Sequence, residues 1–184
     1  MFIGRGTAYQ QSGELQLARQ DYAQAIALDP ENARNFNRRG QVSFELGETD
    51  AAVSDYSKAI RVDAYFAEAY LNRGKAHSKQ GDHVSAVKDY DEVIRLRPED
   101  SAGFYHRGCA YERQEQLKLA TTDFDECIRL NPTDANGYRS RGSVHRNLGD
   151  TAQAISDYTQ AIEHDPENVA AYNGTTEKDC ERNT

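Results

Sequence analysis

Two residue types recur in this chain at a spacing that could do ionic work. Arg5, Arg39, Arg73, Arg107 and Arg141 each stand immediately before a glycine, and Asp21, Asp55, Asp89, Asp123 and Asp157 each stand immediately before an aromatic residue. Every Arg leads its Asp by the same interval, so the five pairs are either a ladder of anion sites or five copies of one structural salt bridge. Both members flank positions that must pack, and the salt bridge is the expected reading, joining two helices of one hairpin or of adjacent hairpins. Removing one partner of a buried pair strands a charge at a cost of about 3–5 kcal/mol.

Other chemistry is sparse. His106 and Cys109 lie one helical turn apart and could touch a metal, but two ligands without a third are weak grounds for a site. Cys127 stands where the other copies carry Ala25, Ala59, Val93 and Ala161, and is read as a buried, inert thiol. His77 and His145 replace an aromatic found elsewhere as Tyr9 and Tyr111, and are read as packing residues. No Ser-His-Asp order, phosphate-cradling glycine loop or paired-acid site rises above the repeated pattern. The chain is expected to be no enzyme, to need no cofactor and to hold no metal.

The elements that must position these residues emerge from self-comparison. The chain repeats with a period of thirty-four residues, in the copies 1–32, 33–66, 67–100, 101–134 and 135–168, leaving 169–184 as a partial capping helix and polar tail. Position four is a large ring (Phe2, Phe36, Tyr70, Phe104, Tyr138) and position eight always glycine (Gly6, Gly40, Gly74, Gly108, Gly142). Glycine inside a helix costs about 1 kcal/mol against alanine, so five in phase imply a partner helix too close for a side chain. Position twenty is always alanine, position twenty-four aromatic and position twenty-eight isoleucine. The expected packing sets small against small, glycine facing alanine, with rings and isoleucine filling between.

Gly13, Gly47, Gly81 and Gly149 close the first helix of four copies in a left-handed turn, while Glu115 breaks that rule. Pro30, Pro98, Pro132 and Pro166 end the second helix, and Ala64 in the remaining copy predicts a more continuous helix at that junction.

The pattern Tyr-x-x-Arg-Gly early and Ala-x-x-Asp-Tyr-x-x-x-Ile-x-x-x-Pro late resembles the tetratricopeptide repeat family over about nine tenths of the chain. The resemblance implies an all-α fold, an alpha-alpha superhelix (solenoid) of helix-turn-helix repeats, in which the first helices line a concave groove that receives an extended peptide. It further implies that the groove presents Arg34, Asn37, Arg38, Gln41, Glu68, Asn72, Lys75, Tyr105, His106, Arg139 and Arg146. Cations outnumber anions there, against a chain whose formal net charge is -8, so such a groove would steer acidic peptides in. The Arg-before-Gly style is similar to co-chaperone repeats that grip a carboxylate with Lys and Asn over three repeats. Asn72 falls on that clamp's middle asparagine, but Asn37 and Gln41 replace its first lysine and asparagine, and Ala102 and His106 its last lysine and arginine, so the clamp is incomplete.

Composition narrows the partners. A hydrophobic content of 38% is low for a sphere and fits a thin stack whose helices each keep a wet face. The acidic balance opposes phosphate-backbone binding, because nucleic-acid affinity is supplied largely by Lys and Arg. No stretch approaches the ~20 apolar residues that span a bilayer, and the opening residues lack the zones of a secretory signal. The expected chain is therefore cytoplasmic, binds a protein or peptide of acidic character, and touches neither membrane nor nucleic acid. The weak cap after residue 168 predicts slight self-association through a terminal repeat, and leaves a second reading in which the chain is a self-assembling module, or a segment of a longer array, with no peptide of its own.

Overall fold

The computed structural model describes residues 2–167, within which the chain forms α-helices and no strand. The helices fall into two compact units, one reaching to Asp82 and the other starting at His83. The first unit holds α1 (Phe2–Gln11), α2 (Leu15–Leu28), α3 (Ala33–Glu45), α4 (Thr49–Val62) and α5 (Ala67–Lys79). The second holds α6 (His83–Leu96), α7 (Ser101–Arg113), α8 (Leu117–Leu130), α9 (Ala135–Leu148) and α10 (Thr151–His164). Within each unit every helix packs on its neighbours in sequence, and the alternate helices α3 with α5, and α7 with α9, also touch. Connections of a few residues force antiparallel hairpins, so the chemistry of each turn decides where a helix ends.

The turns inside the hairpins are set by one left-handed residue. Gly13, Gly47, Gly81 and Gly149 have φ of 80–83°, and Glu115 takes the same conformation at φ 59° without glycine's freedom. The ends of the second helices correct an expectation. α4 stops at Val62 although Ala64 stands where the other copies carry proline, and Asp63 turns extended at φ -138°. Its carboxylate accepts the Tyr65 N–H at 2.9 Å. Asp29, Asn131 and Asp165 leave α2, α8 and α10 in the same way, at φ -143°, -136° and -141°. At Asp63 and Asp165 the carboxylate captures the backbone N–H two residues on, so a short polar side chain ends the helix there with or without the following proline.

The recurrent glycines pack against rings, where the sequence pattern suggested alanine. A Cβ on Gly40 would lie 2.7 Å from Tyr56 Cε1, and on Gly6, Gly108 and Gly142 it would lie 2.9, 2.8 and 3.0 Å from Tyr22, Phe124 and Tyr158. Each ring thus packs against the backbone of the other helix of its hairpin, and Tyr22, Tyr56 and Phe124 are buried beside the invariant alanines of their own helices, Ala18, Ala52 and Ala120.

Beside this wedge runs the ionic scaffold. Arg39 donates from Nε and Nη2 to the two carboxylate oxygens of Asp55, at 2.7 Å each. Arg5 grips Asp21 in the same fork at 2.7 Å, Arg107 grips Asp123 at 2.8 and 2.7 Å, and Arg141 grips Asp157 at 3.0 and 2.6 Å. Each of the four forks joins the two helices of its own hairpin. Arg73 donates from Nη1 to the Ser57 hydroxyl at 3.0 Å, and Asp89 is buried on α6. The ring at position four covers the guanidinium: Phe2, Tyr70, Phe104 and Tyr138 lie 5.6–5.8 Å from the Arg5, Arg73, Arg107 and Arg141 carbons.

A further link was missed in the sequence. Arg107 Nη1 also donates to Asp91 of α6, and Arg141 Nη1 to Asp125 of α8, at 2.6 Å each, so each of these arginines staples the helix before its own to the helix after it. The doubled hydrogen bonding, with Asp123 first for Arg107 and Asp157 first for Arg141, holds both guanidiniums above the ordinary arginine range. The signal lay in position twenty-five, which reads Ala23, Ser57, Asp91, Asp125 and Thr159.

Candidate functional site

In the first unit α3 and α5 bring a run of polar side chains to one face. Asn37 sits in the middle of α3, where its amide donates to Glu68 Oε1 on α5 at 3.0 Å and its carbonyl accepts from Asn72 Nδ2, also on α5, at 3.0 Å. Gln41, one turn further along α3, donates to the same Glu68 oxygen at 3.2 Å. The only carboxylate among the site residues assigned to this face is therefore engaged by neutral amides, which pin it without neutralising its neighbours' charge.

The cations are left with little. Lys75, one turn beyond Asn72 on α5, is half-buried with no anionic or hydrogen-bonding partner among the described residues, and burial lowers its ammonium below the ordinary lysine range. Arg38 of α3 reaches only the Thr7 hydroxyl on α1, at 3.4 Å. Arg34 is exposed at the start of α3, beyond the Asn32 side chain that caps the helix by accepting its N–H. Lys79 closes α5 with its ammonium 4.4 Å from the Phe44 ring centroid. Glu45, the remaining acid on this side of α3, accepts a bond from Gln10 of α1. The arrangement can do electrostatics and hydrogen bonding: two partly buried cations flanked by amides suit a carboxylate and an extended backbone.

The corresponding residues of the second unit behave differently. Tyr105, His106 and Arg139 are buried, whereas the family resemblance presents them to a ligand. His106 of α7 stacks on Tyr90 of α6 at 5.6 Å and meets the edge of Tyr105 at 5.2 Å, and Tyr105 leans against Phe124 of α8 at 6.1 Å. Rings of three successive helices thus fill the space. Glu112 of α7 accepts from the Ser143 hydroxyl of α9 at 3.1 Å. Arg146 is exposed near the end of α9. Among the described residues no group of three or more His, Cys, Asp or Glu side chains could hold a metal ion, and no helix is long and apolar enough to cross a membrane. Cys127 is a free cysteine, fully buried, whose thiol burial pushes up to about 12.

Helical hairpins locked by a ring over glycine and an Arg–Asp fork, at one repeated phase, are what family comparison must explain. TPR repeat models match residues 6–47 and 40–81, and tetratricopeptide repeat models match 67–100, 102–134 and 135–168. The chain belongs to the tetratricopeptide repeat family. Solved structures agree on the fold at low identity. A crystal structure of MamA superposes with a TM-score of 0.82 at 21% identity, covering 89% of this chain and 96% of that one. MamA from Desulfovibrio magneticus RS-1, a form running from residue 41 to its end, gives 0.84 at 17% identity, covering 91% and 94%. YrrB, described as a TPR protein with an unusual peptide-binding site, gives 0.78 at 19% identity, covering 94% and 89%. Comparison with curated protein sequences finds no match. In this tetratricopeptide repeat protein the polar face of α3 and α5 is the candidate site, and the expectation of a capping segment over 169–184 lies outside the described residues.

Proposed function

We propose that the chain is a non-enzymatic protein-interaction scaffold whose first unit receives an acidic peptide segment along the face of α3 and α5. The observation that carries this reading is Lys75: a half-buried ammonium with no anion beside it among the described residues, on a face where Glu68 Oε1 is already engaged by Asn37 and Gln41. A lysine held below its ordinary pKa by burial gains from any carboxylate that reaches it. Arg38, bound only to a hydroxyl, offers a fork to the same ligand, and Asn72 stands between Lys75 and Asn37 with an amide suited to a peptide backbone. YrrB, described as having an unusual peptide-binding site, supports peptide binding as a use of this fold.

The test is capture from a matched lysate on immobilised native chain and on an Arg38→Ala, Lys75→Ala variant, at low and moderate salt. A partner held by the native chain alone, and released by salt, supports the proposal. Identical capture by both proteins refutes it.

A further inference from the structure

We infer that the first unit carries a second anion site, a carboxylate-binding notch formed where the repeated Arg staple lacks its second acceptor. The argument is internal to the molecule. In α7 and α9 the arginine holds two carboxylates at once: Asp123 and Asp91 on Arg107, Asp157 and Asp125 on Arg141. In each case Nε and Nη2 take the Asp sixteen residues later, and Nη1 takes the Asp sixteen residues earlier. In α5 the Nη1 of Arg73 takes Ser57, again sixteen residues earlier. In α3 the same fork closes on Asp55, but sixteen residues before Arg39 stands Ala23, whose side chain has no acceptor, and Arg39 Nη1 is left without a partner among the described residues.

The missing side chain leaves room. A cleft of about 390 Å³ opens between α2, α3 and α4, lined by Ala23, Arg39, Ser43, Asp55, Lys58 and Arg19 among others. It shares no residue with the face of α3 and α5. Its charge favours an anion: the lining holds three cations, Arg19, Arg39 and Lys58, against two carboxylates, Glu48 and Asp55. Arg19 and Glu48 pair with each other at the rim. Lys58 adds a charge that the later copies lack, its Nζ lying 3.6 Å from Asp55 Oδ1, where α8 carries Glu126 and α10 carries Gln160 at the same position. Asp55 does not bar a second carboxylate, since Arg107 and Arg141 each accommodate two. The ligand is therefore a carboxylate that takes the place of the Asp91 and Asp125 side chains, from a small organic acid or from an acidic side chain of another protein. The bond is a charge-assisted N–H donation from Arg39 Nη1.

The experiment titrates the full chain, labelled for backbone NMR, with sodium acetate against sodium chloride at matched ionic strength, and separately with a capped aspartate-containing tripeptide. Saturable shifts at Ala23, Arg39 and Lys58 in either arm support the site, and the arm with the tighter midpoint names the source. The Ala23→Asp variant should fill the notch from within, abolish the response and raise the urea midpoint. Ala23→Ser, which copies the acceptor that Ser57 offers Arg73, should weaken the response several-fold and serves if the aspartate variant fails to fold. Absence of saturable shifts in both arms, or an unchanged response in either variant, overturns the inference.

Discussion

Replacing Asp55 by Asn tests whether the Arg–Asp forks hold the hairpins together. The carboxylate is 7% exposed and Arg39 22%, and two charge-assisted bonds of 2.7 Å join them. Asn keeps the volume but presents one oxygen and one N–H₂ group, so one guanidinium N–H loses its acceptor and faces a donor. Full burial of both partners would give about 3–5 kcal/mol, and full exposure about 0–1. With the Asp buried and the Arg partly wet, the expected loss is about 2–3 kcal/mol, or about 5–10 °C in Tm for a chain of this length. Asp21→Asn is the internal control. The fork there is equally short, but Arg5 is 56% exposed and water can take over its donors, so the loss should be under half as large. Urea and thermal unfolding of the native chain and both variants, followed by circular dichroism, supply the comparison. Equal losses in the two variants, or a loss at Asp55 below about 1 kcal/mol, would refute the assignment of the forks as buried structural ties.

Three further outcomes follow from the packing. Gly40→Ala should destabilise by about 1–3 kcal/mol in urea unfolding, because the new methyl would meet the Tyr56 ring at 2.7 Å; an unchanged midpoint would show that the ring is free to withdraw. Glu115→Gly should stabilise by about 0.5–1 kcal/mol, since it relieves a non-glycine residue at φ 59° at some cost in chain entropy, and loss of stability would mean that the Glu side chain has an unrecognised role. Cys127, with its thiol pushed up to about 12, should resist alkylation in the native chain throughout pH 7–9 and label fully in denaturant, as read by peptide mass mapping. Labelling of native Cys127 that grows across that pH window would contradict its burial.

The fold was legible because its rules are local and repeated. Position-eight glycines, position-twenty alanines and left-handed turn residues recur at one phase, and the family and helix-turn-helix architecture follow from that phase. What faced those glycines was less legible: alanine and tyrosine lie four residues apart on one helix, and periodicity cannot say which of them lies over Gly40. The stop at Val62 was not legible in the proline pattern, because Ala64 breaks that pattern while the turn at Asp63 rests on its own carboxylate accepting the Tyr65 N–H. The second acceptor of Arg107 and Arg141 was overlooked because position twenty-five varies, and a variable position carries no repeat signal even where its Asp residues bond. The candidate site was legible as a set of positions on the first helices, but its charge balance was not. Only side-chain geometry separates Glu68, engaged by Asn37 and Gln41, from Lys75, which has no partner among the described residues, and only packing removes Tyr105 and His106 from the accessible surface.

The most direct test of the scaffold reading is a fluorescence-anisotropy titration of the native chain with an extended glutamate- and aspartate-rich peptide library, a lysine-rich library as control, and Lys75→Glu as the variant. The account predicts binding of the acidic library alone, weakened by added salt and reduced more than about tenfold by the charge reversal, as expected for loss of one charge-assisted contact and gain of a repulsive one. Equal binding of both libraries, or acidic binding that Lys75→Glu leaves unchanged, would contradict it.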